Sequence, residues 1–332
     1  MNAEPSIDIE DLTISFPSSR GNWRHAVEGL TLRVSARERV GIVGESGSGK
    51  SLTSLAIIGL VPEPGRVTGG SVRVAGVEVS EMSGSDLLHL RGRLIGTILQ
   101  EPAESLNPVF TTGFQIAETV AVHRHLGRAD AARESLSLLS AAAIDAPEEI
   151  FRAYPHQLSG GQAQRVMVAL ALAGKPRLLI ADEPTSALDS LTRSQVIELL
   201  DRVVTERGMG LLVISHDLAV VASLVDRIAV MFAGRIVEEG PAESVFAEPL
   251  HPYTKMLLAS TPGRGQIDSA AAPIHGFLER SISYRGCRFA DRCDLATDSC
   301  RELEPDLEDL GQGRRVRCPV VTSGRKAEDG PS

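Results

Sequence analysis

Basic residues are in deficit: 34 lysines and arginines stand against 43 aspartates and glutamates, a net charge of −9 and a pI near 5.5. A general nucleic-acid binder usually carries a basic face, so no nucleic-acid partner is expected. No apolar run approaches the roughly 18 residues of a bilayer-spanning helix. The first residues, Met1 to Pro5, lack the charged-then-apolar pattern of a signal peptide. Only four cysteines are present, all beyond residue 280, which is not a secreted disulfide framework. Internal repeats and low-complexity tracts are also missing. Together these absences lead us to expect a cytoplasmic protein. Aromatics make up only 4% of the chain, so each is conspicuous, while 42% hydrophobic and 23% charged residues are ordinary for a globular protein. A length of 332 residues suggests one large domain with an appendage, or two domains.

What is present centres on Gly44-Glu45-Ser46-Gly47-Ser48-Gly49-Lys50-Ser51, which fits G-x-x-x-x-G-K-[ST]. Val40 to Val43 before it read as a buried strand. Leu52, Leu55, Ala56, Gly59 and Leu60 after it fall on one helical face. A glycine-rich loop between strand and helix turns backbone N–H groups toward an anion, and the helix N-terminus adds partial positive charge. Lys50 is expected to reach the β- and γ-phosphates of a nucleoside triphosphate, and Ser51 to hold Mg²⁺.

Residues 6–12 and 29–35 alternate as strands, and residues 66–80 read as a hairpin around Gly69-Gly70 and Gly76. Phe16, at the end of the first strand, is open to two readings: a ring stacked on adenine, or a core phenylalanine. Residues 94–100 form a short strand ending in Gln100. An alanine-rich helical stretch follows to about residue 160, broken at Asn107-Pro108 and Pro147. Leu178 to Ala181 and Leu211 to Ile214 are apolar strands delivering Asp182-Glu183 and Ser215-His216 at their ends. Apolar strands separated by helices predict a parallel sheet covered on both faces, with ligands at the strand C-termini. The core is expected to end near Gly240. Residues 241–332 have little strand pattern, and Ser323 to Ser332 are expected to be unstructured.

Asp182 sits where a P-loop ATPase places its second Mg²⁺-associated carboxylate. Glu183 beside it points elsewhere and can orient an attacking water, since phosphoryl transfer needs mostly positioning. Ser159-Gly160-Gly161-Gln162 opens another helix and forms a second anion cradle. One subunit has no evident use for two such cradles, so this one is expected to close on a nucleotide held by another subunit.

In order, the phosphate loop, Gln100, Leu158 to Gln162, Leu178 to Glu183, Ser186 to Asp189 and His216 resemble the full motif set of ATP-binding-cassette ATPases. The resemblance spans about residues 6–240. It implies an α/β P-loop NTPase fold with a RecA-like parallel-sheet core, an N-terminal antiparallel β subdomain, a helical insertion at about 101–173, and a cysteine-containing extension at 241–332. It implies a head-to-tail dimer with two ATP molecules between the phosphate loop of one subunit and the signature of the other. Residues 44–52, Phe16, Ser159 to Gln162 and Asp189 would surround the nucleotide. Ser51, Gln100 and Asp182 would attend Mg²⁺. Glu183, His216 and Gln100 would act in hydrolysis.

Gln100 to Pro108, Tyr154-Pro155-His156 and Pro249 to Thr254 resemble the dipeptide/oligopeptide/nickel importer branch. The implied partners are two membrane permeases, a second cassette subunit (identical or different) and, indirectly, a solute-binding protein. The implied place is the cytoplasmic face of the membrane. Arg37, standing where the family usually has glycine, is a departure. Other classes compatible with a phosphate loop are a soluble cassette ATPase acting on nucleic acid or ribosomes, and a P-loop kinase. The first usually has two cassettes or a long coiled coil, and the second lacks the signature.

Cys287, Cys293, Cys300 and Cys318 are spaced C-x5-C-x6-C-x17-C, not as a zinc ribbon. Arginines around them are expected to lower the thiol pKa values. The resemblance makes the four candidates for a [4Fe–4S] cluster. Four reduced, partly buried thiols are the other reading. His123 and His125 are expected to be solvated, and His251 to open a helix.

Overall fold

The computed structural model describes residues 6–18, 21–186, 188–260 and 285–328. Met1 to Pro5, Ala187 and residues 329–332 lie outside that range, and with them the expected lack of a leader and the last part of the expected unstructured end.

Strands β1 (Ile7–Pro17) and β2 (Trp23–Val34) pair antiparallel. β1 also pairs with β4 (Arg66–Val74), which turns into β5 (Val77–Glu78). This sheet has the order β2-β1-β4-β5. Its alternating Ile7, Ile9, Leu30, Leu32 and Val34 are fully buried on one face, as a period of two requires.

The second sheet runs β11-β12-β10-β9-β3-β8-β7-β6. Its parallel centre is β3 (Arg39–Val43), β6 (Ile95–Ile98), β7 (Leu178–Asp182), β8 (Gly210–Ser215) and β9 (Arg227–Phe232). Successive residues of these apolar strands serve different cores. Leu212 and Ile214 join the β1–β4 residues in one, and Leu211 and Val213 join the helices in the other. The antiparallel sheet therefore covers one face and helices cover the other. The helical stretch resolves into Thr112–Arg124, Arg128–Ala141, Pro147–Arg152 and Gly160–Ala171. Pro147 starts a helix rather than breaking one, the position where its missing N–H costs nothing.

The C-terminal stretch holds more sheet than its sequence suggests. β10 (Arg235–Pro241) pairs with β9, and the two-residue strands β11 (Glu308–Asp309) and β12 (Arg315–Val316) extend that edge. Two-residue strands carry no periodicity to read. Ion pairs hold them: Arg314 to the fully buried Glu238, and Arg315 to Glu239. The helix Pro319–Glu328 runs through Ser323, where sequence predicts an unstructured end. Val320 and Val321 pack against Leu250, Val316 and Cys318, which supplies the burial that a polar tail lacks. Arg37, at the position where the resemblance implies glycine, has φ +64, a conformation glycine adopts at no steric cost. Among the described residues no helix is long and apolar enough to cross a membrane.

Candidate functional site

The phosphate loop leaves β3 and enters the helix Lys50–Ile57. Gly44 (φ +155) and Gly49 (φ +103) are required there. A Cβ on Gly44 would lie 2.0 Å from the Met231 carbonyl oxygen, and one on Gly49 2.9 Å from that of Ala26. Ser46 and Gly47 form an exposed crest, and Leu52 packs toward the core. Lys50 is buried, and its Nζ donates to the carbonyls of Gly44 and Glu45 at 2.8 and 2.9 Å. Burial lowers its pKa, against the opposing pull of the Glu183, Asp182 and Glu45 carboxylates. Among the described residues the buried Ser48 hydroxyl has no hydrogen-bond partner. Such an orphan costs about 1–3 kcal/mol, and a phosphate oxygen would satisfy it. The loop therefore fits a triphosphate.

Asp182 and Glu183 turn to different neighbours. Asp182 is buried and accepts from Ser51 Oγ at 3.1 Å and Ser54 Oγ at 3.3 Å. Burial raises its pKa, and the two serine hydrogen bonds work against that rise. The Ser51 and Asp182 oxygens form a hard donor set that suits Mg²⁺. Glu183 sits at φ +48, an unusual conformation for a non-glycine residue. Its Oε1 accepts from the His216 backbone N–H at 3.0 Å and faces His216 Nδ1 at 2.8 Å. Its Oε2 accepts from Ser215 Oγ at 3.2 Å. The Glu183 side chain is 12% exposed and that of His216 is 60% exposed. The carboxylate is thus held from behind by the end of β8.

Ser159 caps the helix Gly160–Ala171. Its hydroxyl accepts from the Gln162 N–H, and Gln162 Oε1 accepts from the Ser159 N–H. Ser159 and Gly160 are exposed. A Cβ on Gly161 would come within 2.8 Å of Thr192 Cγ2, so the signature helix lies against the helix Ser190–Arg207. Asp189 caps the latter, accepting from the N–H groups of Leu191 and Thr192. Among the described residues no hydrogen bond joins Ser159 to Gln162 with residues 44–51. Gln100 lies exposed beyond β6, its carbonyl accepting from Ser105 Oγ at 3.4 Å. The Phe16 ring is partly buried against Gly65, where a Cβ would lie 2.5 Å away.

Cys287 and Cys293 are half-buried, and Cys300 and Cys318 are buried; all four are free thiols lining one cavity with His251 and Phe289. Among the described residues no group of three or more His, Cys, Asp or Glu is placed to hold a metal ion. Burial pushes the Cys287 and Cys318 thiols up, not down. The expected lowering fails because several of the arginines are drawn to carboxylates: Arg288 to Glu28, Arg292 to Glu45, Arg301 to Asp291. His251 caps the helix Pro252–Ala259, accepting from the Tyr253 N–H, and its burial lowers its pKa to about 4. His123 is half-buried rather than solvated, because Gly92 leaves room for its ring.

Residues 27–186 match the family model described as ABC transporter, and residues 237–300 match the oligopeptide/dipeptide transporter C-terminal region. A dipeptide transport ATP-binding protein of Haemophilus influenzae is 42% identical over 97% of this chain and 98% of its own length. The chain belongs to the ABC transporter family. The corresponding protein of Escherichia coli is 41% identical over 96% of this chain and 98% of its own length. Among solved structures, the ATP-binding cassette MJ0796 in a dimeric post-hydrolysis state bound to ADP and Pi superposes with TM-score 0.64. It is 29% identical, covering 71% of this chain and 98% of that one. As an ABC ATPase, the protein binds and hydrolyses ATP. The fold is the one the sequence implies, an α/β cassette with an antiparallel sheet and a helical insertion.

Sequence reasoning missed four contacts: Ser54 on Asp182, Ser215 on Glu183, and Tyr253 and Arg292 on Glu45. Ser54, one helical turn after Ser51, carried a detectable signal. Arg292, 247 residues from its partner, carried none.

Proposed function

We propose that this ABC ATPase is the peripheral energy-supplying subunit of an importer for di- or oligopeptides, docked at the cytoplasmic face of two permease subunits. The observation that carries the reading is the oligopeptide/dipeptide transporter region at residues 237–300, joined to a site fit for ATP. The boundary is proposed near residue 240; the second family match begins at residue 237.

In this reading Lys50 and the loop amides bind the β- and γ-phosphates. Ser51, Asp182 and Gln100 are assigned to Mg²⁺, which would offset phosphate charge when bound. Glu183 orients the attacking water and takes its proton, and His216 keeps that carboxylate aligned. Phe16 is assigned to the adenine. Ser159 to Gln162 and Asp189 face the nucleotide of a second cassette. The exposed Ser159 helix start, unattached to its own phosphate loop, supports that assignment. ATP closes the pair, hydrolysis reopens it, and the Gln100 region with the helical insertion transmits the motion. Purifying the tagged chain from solubilised membranes is expected to bring down hydrophobic permease subunits, with ATP turnover rising when peptide-loaded binding protein is added. Recovery of ribosomes or nucleic acid instead would sink the reading.

All four thiols line one cavity, which supports a [4Fe–4S] cluster there. The raised pKa values of Cys287 and Cys318, and the lack among the described residues of a group placed to hold a metal ion, support four reduced thiols instead. Iron and acid-labile sulfide assays on anaerobically purified protein decide between the two; absence of both leaves the thiols.

A further inference from the structure

The phosphate loop is gripped by the C-terminal extension. Glu45, its second residue, gives its backbone N–H to the Tyr253 hydroxyl at 2.8 Å. The Glu45 carboxylate receives both arms of Arg292: Nη1 on Oε2 at 3.1 Å and Nη2 on Oε1 at 2.9 Å. A two-armed guanidinium on a carboxylate fixes orientation as well as distance.

Both holding groups are themselves held. The Arg292 guanidinium lies over the rings of Phe232 and Phe289, 5.5 and 5.4 Å from their centres, and its Nη2 is 3.5 Å from Met256 Sδ. Tyr253 is fully buried between the same two rings. Its backbone N–H goes to His251 Nδ1, and the N–H groups of Leu250 and His251 go to the buried Glu238 of β10. An unbroken chain of contacts thus runs from the central sheet through the extension to the loop.

We propose that Tyr253 and Arg292 are positioning residues for the nucleotide site, and that Arg292 also cancels a carboxylate that would otherwise repel the triphosphate. The inference rests on residues 44–51 being the phosphate site. Lys50 already stands among the carboxylates of Asp182, Glu183 and Glu45. An uncompensated Glu45 adds a further negative charge where an anion must enter, and like charges at short range oppose binding. Because the Glu45 N–H is committed to Tyr253, the later amides of the loop are left to bind phosphate.

The test is equilibrium binding of a non-hydrolysable ATP analogue with Mg²⁺ to the full chain, with thermal melts alongside. Arg292→Ala is expected to raise Kd about tenfold, the scale of a lost charge-assisted pair, while turnover at saturating ATP stays near wild type. Glu45→Gln, which leaves the Arg292 charge uncompensated beside the triphosphate, is expected to lower Kd a few-fold, about the scale of a screened pairwise charge interaction. The double variant is expected to bind like wild type, because in both the pair carries no net charge. A double variant as weak as Arg292→Ala would overturn the charge role and leave only structural support. If Arg292→Ala does not fold, Tyr253→Phe carries the test: a raised Kd without a lowered melting temperature supports positioning, and an unchanged Kd overturns it. Lys50→Ala separates the two levels. If it loses the analogue while Arg292→Ala binds normally, only this inference fails. If it binds normally, the site assignment itself fails.

Discussion

Glu183→Gln is expected to cut ATP turnover about a thousandfold, within the range a positioned acid–base group supplies, and to accumulate an ATP-bound closed dimer. The amide keeps the size of the carboxylate and an oxygen that can accept from the His216 N–H or Ser215 Oγ, so the strand ends stay joined. It loses the charge that aligns a water and the basicity that takes its proton. Asp182, turned toward Ser51 and Ser54, is not free to replace it. The φ of +48 at residue 183 is a backbone feature that glutamine keeps, so the melting temperature is expected to stay within a few degrees. Phosphate release in a single turnover, with size-exclusion chromatography in ATP and Mg²⁺, reads both effects. Undiminished hydrolysis would remove Glu183 from the chemistry.

Lys50→Ala is expected to weaken ATP binding about a hundredfold, the loss of two hydrogen bonds to charged oxygens at about 1.5 kcal/mol each. Its ammonium spans the Gly44 and Glu45 carbonyls, so the loop is shaped around a cation. Removing it leaves Asp182, Glu183 and Glu45 facing the triphosphate with less positive charge to receive it. Stability is expected to fall by only about 1–2 kcal/mol, because the two lost hydrogen bonds are partly offset by ending the burial of a charge. Titration with a fluorescent ATP analogue checks the first expectation, and denaturant unfolding checks the second.

The sequence by itself determined whatever is written in contiguous residues. G-x-x-x-x-G-K-[ST] between an apolar run and a helical face specifies a phosphate cradle, because backbone amides and a helix terminus do the binding. Apolar strands ending in Asp182-Glu183 and Ser215-His216 specify a parallel sheet, because only a strand buried on both faces is continuously apolar. Alternation in residues 6–12 and 29–35 specifies the antiparallel sheet.

Tertiary structure alone decided the rest. Which strand end supports Glu183 depends on β7 lying beside β8. That the arginines near the cysteines serve carboxylates depends on where Glu28, Glu45 and Glu238 arrive in space. That the extension grips the nucleotide loop depends on Tyr253 and Arg292 meeting Glu45 across 208 and 247 residues of chain. A local pattern encodes periodicity and backbone conformation. Electrostatic partners are chosen by proximity, and proximity exists only after the sheet has brought distant segments to one edge.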